Sequence, residues 1–359
     1  MNKDFVNRML VWYNAARRDL PWRHTADPYR IWLSEIMLQQ TRVETVKAYY
    51  ERFLTHFPDI RTLAHGDEEE VLKCWEGLGY YSRARNLQKA ARKIEEDFRG
   101  VFPDSLAGIR SLPGIGPYTA GAVASIAFGI PEPAVDGNVL RVWSRLTAST
   151  ENVLDPSVRR RTEEALRELL ADCLQGTAYY TGNAAGDFNQ SLIELGAVVC
   201  TPGANPSCDG CPVREDCGAF AGHLTDQLPV REKKGGKRCE DLTVLLIRSG
   251  TRYAIRRREN RGLLAGLYEF PHISGHAGAK EIKEMLSEKR LPVYGLTRLS
   301  DASHTFSHII WHMTGYLIET CGDAPDEGGW IFREPKAIEA LYPVPSAFSA
   351  YSRIMKGSV

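Results

Sequence analysis

The residue pattern of this 359-residue chain changes character once, and that change restricts its fold more than any single motif does. Through residue 222, apolar side chains return at helical spacing, as in Val6, Met9, Leu10 and Tyr13, and strand-type alternation is scarce. Asp27-Pro28 is a capping residue followed by proline at the first helical position, and it opens a helix through about Gln39. Further helical stretches lie near 43–56, 68–75, 83–98, 117–128, 138–146, 157–174 and 187–199, separated by short Gly/Pro joints. A charged, glycine-containing stretch follows at Leu228–Arg238, and the texture then turns to strands. Thr243–Ile247 and Arg252–Arg256 flank the turn Arg248–Thr251, and Phe306–Ile318 alternates like a strand. Ala279–Lys289, Ala337–Tyr342 and Ser346–Met355 read as helices. The expectation is a multidomain chain with an all-α domain over 1–222, a linker over 223–240 and an α+β domain over 241–359.

Forty-five basic side chains balance 45 acidic ones, which taken alone argues against a nucleic-acid partner. The distribution reopens the question. Residues 1–222 carry 25 basic and 29 acidic groups, a net of −4, whereas residues 231–262 carry 11 and 4, a net of +7. Arg83, Arg85, Lys89, Arg92 and Lys93 form a stripe without an acid, readable as a phosphate track or as a solvated helix face. No apolar run approaches the roughly 18 residues of a membrane span, and the first residues lack a signal peptide's apolar core. The reading is a cytoplasmic protein whose eight cysteines are thiols or metal ligands rather than disulfides.

Four of those cysteines, Cys200, Cys208, Cys211 and Cys217, fall within 18 residues around a Gly/Pro-containing loop. Such a set could hold a tetrahedral zinc or a 4Fe–4S cluster, and the lack of paired Cys-x2-Cys knuckles favours iron–sulfur. Cys74, Cys173, Cys239 and Cys321 are isolated and expected to serve in packing. Leu112–Ala120 sets Gly114 and Gly116 in a tight joint between helices, where backbone amides and a helix N-terminus can hold a phosphate oxygen. Glu35 shares a helix face with Ile31, Trp32 and Leu38, which would desolvate its carboxyl and suit it to act as a general acid, unless it pairs with Arg42. Asp136 precedes the helix Asn138–Leu146, as an N-cap or as an ionised group aimed over the helix end. A protonated and an ionised carboxyl together can assist departure from a sugar carbon through an oxocarbenium-like state.

These motifs together resemble the helix-hairpin-helix DNA glycosylases that carry an iron–sulfur cluster, and among them the adenine DNA glycosylases of the MutY type, over essentially the whole chain. The resemblance makes Glu35 the catalytic acid and Asp136 the catalytic aspartate, with Tyr118 and Asn138 holding the site in order. It makes Leu112–Ala120 the DNA-holding hairpin. Leu20–Arg23 and Gly77–Tyr81 match segments that touch DNA, and Arg18, Leu20, Trp22, Arg23, Gln40, Thr41, Leu78, Tyr80 and Gln190 are the expected DNA and substrate contacts. The family usually places six residues between its first two cluster cysteines, and here there are seven, an addition a flexible loop absorbs. Some relatives have glutamate after the Phe-Asn pair where this chain has Gln190, which can hydrogen-bond an adenine edge but cannot act as an acid. The implied cofactor is a 4Fe–4S cluster, and the implied substrate is double-stranded DNA with adenine opposite 8-oxoguanine or guanine. The implied product is an abasic site. A monomer is expected, nucleoid-associated if the cell is bacterial.

Gly262–Pro271 matches the entry to a Nudix motif, so the second domain resembles the MutT-like fold. The helix Lys280–Glu288 lacks the metal-holding carboxylates of a hydrolase, so the domain is expected to bind without hydrolysing. Phe306-Ser307-His308 matches the family's lesion-recognition loop. His304, His308 and His312 would share one strand face, with no thiolate or carboxylate to complete a metal set. Gln40 and Tyr80 are candidates to wedge into the base stack, although Tyr80 reads as well as a core aromatic. Three rival functions remain: a bifunctional glycosylase–lyase of the endonuclease III type, a non-catalytic binder of damaged DNA, and a nucleotide hydrolase in the second domain. The first needs a Schiff-base lysine where this chain has Tyr118.

Overall fold

The computed structural model describes residues 1–174, 182–232, 236–321 and 324–357. They form two compact units, Met1–His65 with Asn86–Lys234, and Gly66–Arg85 with Gly235–Val359. The segment Gly66–Arg85, which the sequence pattern groups with the other helices of 1–222, thus packs with the strands.

The helices are α1 (Lys3–Ala16), α2 (Pro28–Leu38), α3 (Val43–His56), α4 (Ile60–His65), α5 (Glu68–Cys74), α6 (Ser82–Phe98), α7 (Leu106–Arg110), α8 (Pro117–Phe128), α9 (Gly137–Leu146), α10 (Pro156–Leu174), α11 (Ala184–Val198) and α12 (Gly218–Ala221). All but α5 and the first turn of α6 belong to the first unit. The periodic stretches match these helices within three residues at each end, whereas α4, α7 and α12 are too short to show a period. Phe5, Met9 and Leu10 of α1 meet Val139 and Leu146 of α9 and Phe188, Leu192 and Leu195 of α11 in one core. Helix α8 is buried from Thr119 to Ser125, and its small residues let the backbone of neighbours lie directly on it. A Cβ on Gly121 would sit 2.1 Å from the carbonyl oxygen of Pro133, and one on Gly186 would sit 2.8 Å from Ile126 Cα. Asn189 completes this joint: its side chain accepts from Ala134 N at 3.0 Å and donates to Glu132 O and Ser125 Oγ at 2.8 Å each. The strand-like approach to Asp136 is therefore clamped between α8 and α11.

The stretch expected to be a free linker is partly pinned. Leu228 is buried, its carbonyl accepts from Arg145 Nε at 2.9 Å, and Val230 O accepts from Val153 N at 3.0 Å. Residues 233–235 of that stretch lie outside the described residues, and the first strand begins at Arg238. Of the isolated cysteines, Cys74 is buried, but Cys239 and Cys321 are exposed, so neither serves in packing as expected. The side chain of Cys173 lies outside the described residues.

In the second unit, β1 (Arg238–Ser249), β2 (Arg252–Arg257), β3 (Tyr268–Glu269), β4 (His272–Ser274), β5 (Val293–Arg298), β6 (Ala302–Thr305), β7 (Ile309–Thr320) and β8 (Trp330–Arg333) form one mixed sheet. Its centre is the parallel pair β1–β7, in register from Arg238↔Ile309 to Ser249↔Thr320. Alternation along β1 sends Leu242, Val244 and Leu246 to one face, with Phe348 and Tyr351, and Leu245 and Ile247 to the other, with Ile282 and Leu286. Helix α13 (Ala279–Glu288) covers the second face, and α14 (Pro335–Leu341) and α15 (Ser349–Met355) lie toward the first. The run Phe306–Ile318 is not one strand: β6 and β7 are antiparallel partners, and Phe306–His308 is the turn that joins them. Alternation continues across this turn, which has no glycine to mark it. His304, His308 and His312 consequently fall on β6, the turn and β7 rather than on one strand. No helix among the described residues is long and apolar enough to cross a membrane.

The close approach at Gly121 sets a stability prediction. Gly121→Ala forces Pro133 off α8 and should cost on the order of 3 kcal/mol in denaturant unfolding. Gly137→Ala, which meets nothing within 4 Å, should change stability by less than about 0.5 kcal/mol.

Candidate active site

A cavity of about 760 Å³ in the first unit gathers residues from six parts of the chain. Its lining includes Glu35, Gln40 and Thr41 from the end of α2, and Gly114, Gly116 and Tyr118 from the turn into α8. Asp136 and Asn138 come from the start of α9, Gln190 from α11, and Arg18, Leu20, Trp22 and Arg23 from the loop after α1. Helix α2 starts where expected, with the Asp27 side chain accepting from Tyr29 N at 2.9 Å, and its buried run Ile31–Met37 carries Glu35 inward.

Glu35 is 7% exposed, and the Tyr118 hydroxyl donates to its Oε2 at 2.6 Å. No pairing with Arg42 forms the site. Burial pushes the Glu35 carboxyl up to about 7; the Tyr118 hydrogen bond opposes the rise and the charge of Asp136 adds to it. Burial also raises Tyr118 well above its ordinary range. Asp136 is the N-cap of α9: Oδ1 accepts from Val139 N and Oδ2 from Asn138 Nδ2, both at 2.8 Å. Burial raises its carboxyl too, while these hydrogen bonds and Arg141 pull it back.

Asp136 is tied through α9 to the cysteine loop. Asn138 Oδ1 accepts from Arg141 Nη2 at 2.9 Å, and Arg141 also donates to Gly196 O at 2.7 Å and to Cys200 O at 2.9 Å. One turn later Arg145, 2% exposed, donates to Cys200 Sγ at 3.3 Å and to the carbonyls of Thr201, Gly203 and Leu228. Cys200, Cys208, Cys211 and Cys217 line one small pocket walled by Val142, Leu146, Leu195 and Val199. Among the described residues, no group of three or more His, Cys, Asp or Glu side chains is arranged to hold a single metal ion. Burial, with the neighbouring sulfurs, pushes the Cys211 thiol up to about 11, so four thiolates together there require a compensating positive charge.

Several expected contacts have other partners. Glu194 is fully buried and accepts from Arg18 Nε and Nη2 at 2.8 Å and from Arg23 Nη2 at 2.7 Å. Burial alone would raise it, but these bonds hold it down at about 2. Arg23 is therefore a wall of the cavity rather than an open cation. Leu20, Trp22 and Leu78 are buried. Gln40 and Tyr80 both stand exposed in the left-handed backbone region, at φ 58° and 48°, which rules out the core reading of Tyr80. Gly114, at φ 77°, is packed on Asn86, whereas a Cβ on Gly116 would meet nothing, so open space lies over the uncapped N-terminus of α8. Leu78, Tyr80, Phe306, Ser307 and His308 belong to the second unit, where all but Leu78 line a separate cavity of about 510 Å³. Sequence reasoning missed Gln39, whose amide donates to Thr119 Oγ1 at 3.2 Å, along with Arg141, Arg145, Asn189 and Glu194. The available signal was charge on otherwise apolar helix faces: Arg141 and Arg145 one turn apart, and Glu194 beside Leu192 and Leu195.

The raised Glu35 carboxyl makes stability depend on pH in a fixed direction. The unfolded chain loses this proton near the ordinary glutamate value, the folded chain near 7, so rising pH between the two destabilises the fold. Glu35→Gln should thus gain stability over the parent between about pH 4.5 and 7, reaching about 3 kcal/mol, and show little difference at pH 4. Urea unfolding of both proteins across this range checks it, and a pH-independent difference would contradict it.

Residues 33–171 match the HhH-GPD superfamily base excision DNA repair protein family, and residues 243–352 match the NUDIX domain. The human adenine DNA glycosylase is 36% identical over 383 residues, spanning 89% of this chain and 68% of that protein. The adenine DNA glycosylase of Buchnera aphidicola subsp. Baizongia pistaciae is 33% identical over 85% of this chain and 83% of its own. A solved thermostable thymine-DNA glycosylase superposes on 61% of this chain and 96% of its own, with 32% identity and a TM-score of 0.52. Relatives matched over 85% and 89% of this chain, with the two family matches, place it in the adenine DNA glycosylase family of base-excision repair enzymes.

Proposed function

We propose that this member of the family hydrolyses the N-glycosidic bond of adenine opposite 8-oxoguanine or guanine in double-stranded DNA, leaving an abasic site. The observation that carries the reading is a buried carboxyl raised to about 7, hydrogen-bonded by Tyr118, in the same cavity as Asp136. An extruded adenine would enter that cavity. Tyr118 occupies Glu35 Oε2 as a donor, so a neutral Glu35 carries its proton on Oε1 and can deliver it to the adenine ring nitrogen at position seven. Asp136, held by Val139 N and Asn138, stabilises the sugar cation as the base departs. Gln190 offers an amide to the adenine edge. The open space over Gly116 suits a DNA phosphate at the N-terminus of α8, and Gln40 and Tyr80 suit insertion into the stack.

Cys200, Cys208, Cys211 and Cys217 would hold a 4Fe–4S cluster. An all-sulfur donor set of four cysteines lining one pocket fits such a cluster. When bound, the cluster supplies positive iron to four thiolates and so stiffens the loop around it. In the second unit, Phe306-Ser307-His308 would read 8-oxoguanine, whose N–H at position seven replaces the acceptor of guanine. The protein would act as a monomer in the cytoplasm, on the nucleoid in a bacterium.

Alkali-dependent strand cleavage should be fastest for adenine opposite 8-oxoguanine, slower opposite guanine and negligible opposite thymine. Glu35→Gln should lower the rate at least about 10²-fold, and borohydride should trap no covalent adduct, since Tyr118 cannot form a Schiff base. Equal rates for parent and Glu35→Gln would remove Glu35 as the acid. The purified protein should be brown and contain iron and sulfide in near-equal amounts, and one zinc in colourless protein would refute the cluster.

A further inference from the structure

The turn Phe306–His308 carries exposed Ser307 and His308 and contains no glycine. Backbone bonds hold its frame: Phe306 N donates to Ile309 O at 2.8 Å, and Arg238 N donates to His308 O at 3.0 Å. Its apolar side chain is held elsewhere. The Phe306 ring stands edge-to-face on Trp311, with centroids 4.9 Å apart and planes at 74°. Trp311 is 3% exposed and held from three sides. Its Nε1 donates to Glu240 Oε2 at 2.9 Å, the Arg258 guanidinium lies 5.8 Å from its ring centroid, and Phe348 packs at 5.9 Å.

Arg258 extends this assembly to a second loop. Its Nε donates to Leu263 O at 3.0 Å, its backbone N donates to Leu267 O at 2.8 Å, and it pairs with the buried Glu269 carboxylate. The loop Gly262–Ala265 and the turn Phe306–His308 are both walls of the cavity of about 510 Å³. One indole and one guanidinium in contact therefore set the distance between the two walls.

We propose that Trp311, clamped by Glu240 and Arg258, is the positioning residue for lesion discrimination, an inference that rests on the recognition role given above to Phe306–His308. Trp311 touches no substrate. It fixes Phe306, and through Arg258 the facing loop, so that Ser307 and His308 meet the lesion edge in one geometry. A ring that rocks would let the hydroxyl and imidazole miss, and discrimination would fall while the chemistry at Glu35 proceeds.

The test is the ratio of kcat/KM for adenine opposite 8-oxoguanine to that opposite guanine, measured on the full chain. Trp311→Phe, which cannot donate to Glu240, should lower the ratio about tenfold through KM rather than kcat. Glu240→Leu should do the same, and Glu240→Gln, which keeps an acceptor for the indole, should retain the ratio. If Trp311→Phe melts far below the parent, the Glu240 pair decides. Unchanged ratios in Trp311→Phe and Glu240→Leu, with the ratio lost in the double variant Ser307→Ala, His308→Ala, would overturn this inference and leave the recognition reading standing. Equal losses in both Glu240 variants would assign the effect to charge and overturn it as well. A double variant that keeps the full ratio would sink the recognition reading, and this inference with it.

Discussion

Two buried arginines one turn apart on α9 hold the chemistry of the first unit together. A guanidinium removed from water is tolerated only where its donors find acceptors. Arg141 finds them on Asn138, Gly196 and Cys200, and Arg145 on Cys200, Thr201, Gly203 and Leu228. Those acceptors belong to the start of α9, to α11, to the cysteine loop and to the stretch at Leu228. No hydrophobic core could supply the same arrangement, because apolar contacts tolerate sliding and a forked set of donors does not. The orientation of Asp136 and the path of the chain from Cys200 are consequently two ends of one hydrogen-bonded structure.

Burial in the cavity raises the Glu35 and Asp136 carboxyls and so opposes their ionisation. Glu35 has no ion pair among the described residues; burial and the charge of Asp136 raise its carboxyl, against the Tyr118 hydrogen bond and the charge of Arg23. The scaffold around it compensates through groups that are fully satisfied, such as Glu194 between Arg18 and Arg23 and Asn189 across the α8–α11 joint. The raised carboxyls thus lie against a shell whose ion pairs and hydrogen bonds are satisfied.

Much of this was legible in the sequence, for identifiable reasons. Helices of ten or more residues show their period, and Asp27-Pro28 and Asp136 announce helix starts by capping chemistry. Glu35 could be placed on an apolar face because the helix period fixes which neighbours it shares. Other features left little or no local trace. Alternation runs unbroken through Phe306–His308 because the hairpin tip has no glycine or proline, so the sequence pattern starts the strand before it begins. Arg141 and Arg145 do leave a trace, as charges one turn apart on an otherwise apolar face, but a rule that keeps charge outside reads them as surface residues. The grouping of Gly66–Arg85 with the strands depends on contacts such as Tyr268 to Glu69 and Val344 to Glu76, whose partners lie 199 and 268 residues apart.

Because Arg145 reaches Leu228, the first unit does not end where its helices do. A protease cut after Gly222 would strip the carbonyl from Arg145 Nε, the partner of Val153, and the tie between Asn152 and Glu232. The fragment left behind would keep every helix of the unit and all four clustered cysteines, yet would expose a buried cation beside Cys200. A fragment of this chain meant to keep the first unit intact must therefore carry its tail at least through residue 232.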